Sequence, residues 1–230
     1  MAASSMFLGK TKRQWTGLLY PRRVRLFDIL NTNADFQQFI RTRLKQVSHF
    51  DNRDELYQHV NKAVLKGEAI DYMEFGVWQG ASLKRWCELN PNPKSRFYGF
   101  DSFEGLPEYW NRKTVKGAFN LKGVAPEIGD ARVQLVKGWF QESLPGFLES
   151  FRPQSRLVIH IDSDLYSSAL FCLTSLHTLA KPGTILVFDQ FQDSEHEFSA
   201  FVDYTTSYYR EWNALGTTKR YLQVAIEMTK

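Results

Sequence analysis

The sequence has only two cysteines and no long apolar run, which disfavours a disulfide-stabilised protein and a membrane-spanning protein. Its 230 residues contain only Cys87 and Cys172, which lie far apart and show no C-x-x-C spacing. They predict buried thiols in a reduced compartment rather than a disulfide framework. No apolar stretch approaches the length of a membrane span, and the first residues lack the features of a signal peptide. We therefore expect a cytoplasmic protein with no membrane partner.

Charge is distributed unevenly along the chain. The first fifty residues carry nine Lys and Arg against Asp28 and Asp35, whereas the remaining residues are net acidic. A basic segment of this kind either meets an anionic partner or is a solvated surface. Apolar residues are interspersed among the basic ones, which favours a segment that folds over the body rather than a free tail. We expect residues 1–50 to form a basic lid and residues 51–230 to form the main domain.

From about residue 70, short β-rich runs alternate with helical patterns. The runs are Ile70–Val77, Arg96–Asp101, Val133–Val136, Leu157–Asp162 and Thr184–Asp189. This alternation predicts parallel strands joined by helical crossovers, and hence a doubly wound α/β sheet. The final run, Tyr221–Met228, follows too short a connection for another crossover and is expected to be an antiparallel edge strand. The long stretch 105–130 is either a substrate-contacting loop or a plain surface excursion.

A glycine turn follows the first of these strands. The residues Glu74-Phe-Gly-Val-Trp-Gln-Gly-Ala-Ser82 allow close approach of a ligand to the backbone and open a helix with free N–H groups. The spacing is not G-x-G-x-x-G, which disfavours a dehydrogenase-type dinucleotide fold. A cofactor with an amino acid end would use Glu74 for its ammonium group and Ser82 for its carboxylate. Asp101, at the end of the next strand, either accepts hydrogen bonds from a ribose or caps a helix.

Two further acids follow neighbouring strands. Asp162 and Asp189 are expected at the same rim of a parallel sheet, where their carboxylates converge. With the amide oxygen of Gln190 they form an oxygen set suited to Mg²⁺. Alternatively, one carboxylate is a general base for an alcohol, or both cap helices. His196 follows the Asp189 loop and is a further candidate base, whereas His160 is expected in the core.

Taken together, these segments resemble the macrocin O-methyltransferase family of sugar methyltransferases over roughly residues 50–228. The matching stretches are Glu74–Ser82, Gly99–Pro107, Val136–Pro145, His160–Tyr166 and Pro182–Asp189. The resemblance implies a class I, Rossmann-like methyltransferase fold with an N-terminal helical lid. It also implies S-adenosylmethionine as methyl donor and a small-molecule hydroxyl as acceptor, in a sugar or glycosylated natural product. A free sugar, an anionic or nucleotide-linked sugar, a glycosylated natural product and a non-sugar alcohol all stay open as acceptors.

The resemblance also implies roles for individual residues. Glu74, Gly76, Gly80 and Ser82 would hold the methionine end of the cofactor, Asp101 the ribose, Ser102 and Phe103 one side of the adenine, and Phe140 and Gln141 the other. Asp162 and Asp189 would hold Mg²⁺, with Gln190 beside them and Asp162 as the base. The family has two acids where this chain has Asp189-Gln190, so metal affinity falls or the metal is dispensable.

Several alternatives remain open on the sequence alone. One is a metal-independent methyltransferase or hydroxylase-like enzyme on the same fold. Another is a non-catalytic cofactor-binding protein whose basic segment grips an anionic partner. Asp162 and Asp189 argue against this second alternative, because a binding module has no need of paired acids beside the methyl donor. Nucleic acid is therefore disfavoured as a partner. A homo-oligomer is expected by analogy with the family.

Overall fold

The computed structural model describes residues 29–111 and 113–230. It divides into two units, one ending at Thr42 and the other running from Arg43 to Lys230. Helix α1 occupies residues 29–39 of the first unit, and a π-helical turn at Ile40–Leu44 spans the division between the units. Most of the basic residues of the predicted lid lie outside the described residues. The lid and its boundary at residue 50 therefore stay predictions.

Within the described residues, the second unit is built around one eight-stranded sheet. The strands are β1 (His49–Phe50), β2 (Ile70–Phe75), β3 (Arg96–Asp101), β4 (Val133–Lys137), β5 (Arg156–Ile161), β6 (Ile185–Phe188), β7 (Trp212–Thr218) and β8 (Val224–Met228). The helices are α2 (Arg53–His59), which continues into a π-helical turn at Val60–Val64, α3 (Ala81–Leu89), α4 (Phe140–Ser150), α5 (Tyr166–Ser175) and α6 (Glu197–Ser207). The strand order is β1-β7-β8-β6-β5-β2-β3-β4.

The middle of the sheet is parallel and covered on both faces. β2 pairs in parallel with β3 and β5, β3 with β4, and β5 with β6. Every residue of β2 and β6 is buried, which is the pattern of strands with helices on both sides. The predicted doubly wound, mostly parallel sheet is confirmed. Among the described residues, no helix is both long enough and apolar enough to cross a membrane.

The C-terminal strand is antiparallel as predicted, but its predicted position at the edge is wrong. β8 lies between β6 and β7 and is antiparallel to both, while β7 and the short β1 lie outside it. The sequence does not predict β7 because a bulge between Ala214 and Gly216 interrupts its alternation. Gly216 is also where Phe50 packs against the strand, since an added Cβ would lie 2.7 Å from the Phe50 Cε2 atom.

The direction in which strands are added to the sheet reverses between β2 and β5. The chain runs outward from β2 through β3 to β4 and then crosses back to β5 and β6. Phe75 and Ile161 are paired at the carboxyl ends of β2 and β5, and the Asp162 N–H donates to the Phe75 carbonyl at 2.9 Å. Ligands of open α/β sheets bind at such a switch point. The glycine turn and Asp162 are therefore neighbours at this point.

Candidate active site

A cavity of about 270 Å³ opens at the carboxyl ends of the parallel strands. Its walls come from the turn after β2, the loop after β3, residues 138–141 after β4, and the segments that follow β5 and β6. Leu106, Trp110 and Phe119 of the long loop contribute to it, so that loop is part of the cavity wall and not a plain surface excursion. Of the residues predicted from the sequence, those that line the cavity are Gly76, Ser82, Asp101, Ser102, Phe140, Gln141, Asp162, Asp189 and Gln190.

Gly76 is required for the close packing of the β2 turn against the end of β5. Its φ is +99°, and an added Cβ would lie 1.9 Å from the Asp162 carbonyl oxygen. Gly80 also has a positive φ, +78°, and directly precedes α3, but it does not contribute to the lining. The glycine turn thus brings the backbone of Gly76 to the cavity wall, together with Val77, Trp78, Ala81 and Ser82.

We expect Gly76→Ala to destabilise the fold by about 3 kcal/mol or more, because the backbone of Asp162 must move to make room. Gly67→Ala is the matched control, since Gly67 has φ +70° but open space where its Cβ would be. Gly67→Ala should lose only about 1–2 kcal/mol of folding stability, from the strain of placing a non-glycine residue in a left-handed backbone conformation. Urea unfolding of both variants measures the difference, and equal losses would show that the contact with Asp162 is unimportant.

Glu74 lies behind the cavity wall, not in it. Its side chain is fully buried, accepts a hydrogen bond from Ser82 Oγ at 2.8 Å, and accepts another from the Tyr72 hydroxyl. Ser82 lines the cavity in front of it. The predicted direct contact of Glu74 with a cofactor ammonium group is therefore not supported by this arrangement, whereas a role through Ser82 is.

Glu74 begins a chain of buried hydrogen bonds that runs from the glycine turn to the end of β6. Tyr72 contacts His160 Nδ1 at 2.7 Å, and His160 Nε2 contacts the Tyr57 hydroxyl at 3.3 Å. Tyr57 in turn lies 3.4 Å from Asp189 Oδ1. His160 is fully buried, as predicted for a core residue. Its two ring nitrogens nevertheless make it a polar link between Tyr72, which contacts Glu74, and Tyr57, which contacts Asp189.

Asp101 organises the glycine turn while facing the cavity. Its Oδ2 accepts hydrogen bonds from the backbone N–H groups of Val77 at 2.9 Å and Trp78 at 2.8 Å. Its Oδ1 accepts from the Phe103 N–H at 2.7 Å. A carboxylate has about four acceptor positions, so one remains for a ligand hydroxyl. Phe103 is itself buried and lies outside the lining, which does not support its predicted place beside an adenine.

Aromatic side chains form much of the remaining wall. Phe140, at the start of α4, is held edge-on against Phe75 with ring centroids 5.6 Å apart. Trp139 and Gln141 flank it in the lining, and Trp78 packs against Phe119 at 5.6 Å. Such faces suit a planar base, and aromatic rings also attract cations.

One part of the cavity wall is acidic, and it is called the acidic wall below. Asp162 and Asp189 line it, and together with His160 they can place one donor atom each within 4.8 Å of one another. Removal from water, followed by the charges of Asp189 and Glu197, raises the pKa of Asp162 well above its usual range. The predicted convergence of the two aspartates is confirmed in geometry, and their roles stay predictions. Gln190 lines the cavity beside them and donates its backbone N–H to Glu197 Oε2 at 2.9 Å.

Asp164 is a cavity residue that the sequence does not predict. It is 8% exposed and has a φ of +60°, a conformation that non-glycine residues seldom adopt and that clusters at functional sites. Burial, followed by the charges of Asp189 and Asp193, raises the pKa of Asp164 to about 7. The second acid of the His160-Ile-Asp-Ser-Asp164 segment was the available signal.

His196 lies outside the cavity lining, and both of its ring nitrogens are engaged. Nδ1 accepts from the Tyr166 N–H at 3.2 Å, and Nε2 lies 3.1 Å from the Trp110 carbonyl oxygen. These partners require a neutral ring with the proton on Nε2. His196 therefore ties the long loop to the start of α5, and this placement does not support its predicted use as a base.

Arg53 and Tyr57 of α2 are two further residues at the site that sequence reasoning missed. The Arg53 Nη1 atom lies 3.7 Å from Asp189 Oδ2, and its side chain lines the cavity. Asn52 caps this helix by accepting a hydrogen bond from the Glu55 N–H at 3.1 Å and so fixes the position of its first turn. Only the folded chain shows that Arg53, in this turn, reaches the acidic wall.

Comparison with known proteins places this site in a family. A model of the methyltransferase domain matches residues 73–191, more than half of the chain. A curated relative, the 8-demethyl-8-(2,3-dimethoxy-alpha-L-rhamnosyl)-tetracenomycin-C 4'-O-methyltransferase of Streptomyces olivaceus, is 27% identical over 175 residues. The match covers 63% of this chain and 64% of the relative, just under two thirds of its length.

Solved structures share the fold at low sequence identity. The O-methyltransferase NovP has a TM-score of 0.60 and 21% identity, with 77% of this chain and 80% of that chain covered. An O-methyltransferase from Bacillus cereus in complex with SAH has a TM-score of 0.51 and 15% identity, with 96% of this chain and 97% of that chain covered. The sheet is thus that of class I, Rossmann-like methyltransferases, and the chain belongs to the methyltransferase domain family.

Proposed function

We propose that this chain is an S-adenosylmethionine-dependent O-methyltransferase that acts on a hydroxyl of a small molecule, in a sugar or a glycosylated natural product. One observation carries the proposal: the Asp101-bound glycine turn and the acidic wall of Asp162 and Asp164 face the same cavity. The first suits a nucleoside with an amino acid end, and the second suits an alcohol that must lose a proton. The curated relative is named for O-methylation of a compound that carries a rhamnosyl group, which supports a sugar acceptor.

The cavity fits the proposed methyl donor. Backbone is exposed at Gly76, Asp101 keeps one acceptor position, and aromatic faces lie at Trp139 and Phe140. S-Adenosylmethionine would supply a methyl carbon carried on a positive sulfur, and a wall of aspartates and aromatic rings stabilises such a charge. The chain's main contribution is to hold donor and acceptor in line, where effective molarities reach about 10⁵ M or more.

The acidic wall would take the acceptor's proton. As the oxygen–carbon bond forms and the carbon–sulfur bond breaks, the hydroxyl proton passes to a carboxylate. Asp162 is the base proposed from the sequence, and Asp164 is a second candidate because its pKa of about 7 suits proton transfer near neutral pH. No step is assigned to Mg²⁺, because Asp189, one of its proposed ligands, is already paired with Tyr57, Gln223 and Arg53. An anionic or nucleotide-linked acceptor and a homo-oligomer remain proposals.

The proposal is tested in two stages. Calorimetric titration with S-adenosylmethionine and S-adenosylhomocysteine is expected to show micromolar binding. Transfer of a labelled methyl group is then screened against free sugars, nucleotide-linked sugars and glycosylated aromatic compounds, with product analysed for O-methylation. Absence of cofactor binding would refute the proposed function, whereas binding with transfer only to nitrogen acceptors would refute O-methylation.

We expect Asp162→Asn to lower turnover about 100-fold or more, because the variant removes a carboxylate from the acidic wall. Cofactor affinity should change less than threefold, since the residues assigned to the cofactor are untouched. Asp51→Asn is the control, because Asp51 forms only an exposed ion pair with Lys219. Loss of S-adenosylhomocysteine binding in Asp162→Asn would assign Asp162 to the cofactor instead.

A further inference from the structure

A fixed positive charge stands at the acidic wall, where a divalent cation was predicted from the sequence. The Arg53 guanidinium lies 3.7 Å from Asp189, and its side chain is 45% exposed at the cavity. Arg53, Asp162 and Asp189 all line the same cavity, so the guanidinium lies at the wall that carries both aspartates proposed as metal ligands.

The oxygens of Asp189 are committed to protein partners. Oδ1 lies 3.4 Å from the Tyr57 hydroxyl and 3.2 Å from Gln223 Nε2, and Oδ2 faces Arg53. Only 5% of Asp189 is exposed, and a metal ion bound to Oδ2 would compete with the Arg53 guanidinium. The pairing satisfies a buried carboxylate without a metal.

The other predicted or geometric ligands fit Mg²⁺ no better. His160 Nε2 contacts the Tyr57 hydroxyl and Nδ1 contacts Tyr72, so neither nitrogen is free for a metal. A nitrogen ligand is also uncommon for Mg²⁺, which binds oxygen. The side chain of Gln190 is a neutral amide, so it adds no negative charge to attract a metal ion. A divalent cation here would therefore lie beside the Arg53 guanidinium, with Asp189 and His160 already engaged by protein partners.

We propose that Arg53 takes the place of the divalent cation, donating a hydrogen bond to the acceptor oxygen, and that methyl transfer by this chain needs no metal ion. The inference rests on the proposed function. A guanidinium beside the reacting hydroxyl stabilises the negative charge that develops on oxygen as its proton passes to an aspartate of the wall. The balance of the step is unchanged: one oxygen–carbon bond forms, one carbon–sulfur bond breaks, and one proton moves to a carboxylate.

The test is Mn²⁺ binding, followed by electron paramagnetic resonance of the free ion, with S-adenosylhomocysteine present. The wild-type chain is expected to show no saturable binding up to 1 mM, and Arg53→Gln to bind at least tenfold more tightly. Arg53→Gln combined with Asp162→Asn should lose that binding. Lys62→Gln is the matched control, because it removes one positive charge from the π-helical turn that continues α2, on an exposed side chain outside the cavity lining.

Two results would overturn the inference. The first is tight Mn²⁺ binding by the wild-type chain that disappears in Asp162→Asn, and the second is equally weak binding by wild type and Arg53→Gln. With an acceptor in hand, wild-type turnover should be unaffected by a chelator. Arg53→Gln should lose turnover at least tenfold and regain part of it with added Mn²⁺, while Arg53→Lys should keep more activity without metal. Failure of S-adenosylhomocysteine to bind would refute the proposed function, while the Mn²⁺ comparison still decides the cation site.

Discussion

Asp164→Asn is expected to lower turnover by about 10²–10⁴-fold and, at the same time, to make the fold more stable at pH 8. The first effect follows if Asp164 is the base, since an amide cannot accept the acceptor's proton. The second follows from burial, which raises the pKa of this carboxyl to about 7. Asn has nearly the same shape and tolerates a left-handed backbone, so the substitution adds no strain.

The sign of the stability effect can be followed with pH. The unfolded carboxyl titrates near about 4, so below that pH Asp164 is protonated in both states and has no electrostatic cost. As the pH rises from about 4 to about 7, ionisation favours the unfolded chain, and above about 7 the full cost is present. We expect Asp164→Asn to gain up to about 4 kcal/mol at pH 8 and nothing at pH 4.

Urea unfolding at the two pH values, with turnover measured on the same preparations, checks both effects. Asp164→Ala is the companion variant, because it also removes the charge but tolerates φ +60° less well than Asn. It should be equally inactive and less stabilised. An Asp164→Asn chain that keeps wild-type turnover would leave Asp162 as the only proposed base, and destabilisation at pH 8 would contradict the buried charge.

The second large effect is expected at Asp101. Asp101→Ala should weaken S-adenosylhomocysteine binding more than 100-fold, because it removes the proposed ribose acceptor and frees three backbone N–H groups at once. Each lost hydrogen bond to a charged group contributes about 1.5–3 kcal/mol to the structure that it holds. Both the ligand and the glycine turn therefore lose support.

Asp101→Asn separates these two contributions. It keeps one acceptor oxygen for Phe103 but turns an amide N–H₂ group towards the N–H groups of Val77 and Trp78, so the turn is disrupted while side-chain volume is kept. We expect binding between those of Asp101→Ala and wild type, with a lowered Tm in both variants. Calorimetry and thermal unfolding provide the measurements, and affinity within threefold of wild type in Asp101→Ala would remove Asp101 from the cofactor site.

The sequence predicts the parts of the site that follow directly from strand ends. Asp101, Asp162 and Asp189 lie where parallel strands stop, so alternation of strands and helices is enough to bring them to one rim. Glu74 also ends a strand, but its side chain points into the core, and burial depends on helices packed from elsewhere in the chain. The local sequence pattern thus predicts where these residues lie along the strands, but it does not predict which side chains line the cavity and which are buried behind it.

The residues that sequence analysis missed depend on tertiary packing or unusual backbone. Asp164 lines the cavity with a left-handed φ, and the sequence pattern does not predict that backbone conformation. Arg53 is on a helix that precedes every strand of the parallel core, and only the folded chain brings it to Asp189. Strand β7 escapes prediction because its bulge at Gly216 breaks the alternation on which the prediction depends.

The two tyrosines in the chain of buried hydrogen bonds each have more partners than protons. The Tyr72 hydroxyl contacts both Glu74 and His160 Nδ1 but has only one proton to donate. The Tyr57 hydroxyl likewise contacts both His160 Nε2 and Asp189 Oδ1. The partner that Tyr72 donates to decides how His160 is used, and this in turn decides whether Tyr57 donates to His160 or to Asp189. The hydrogen bonding of Glu74, behind the glycine turn, is therefore coupled to that of Asp189 at the acidic wall.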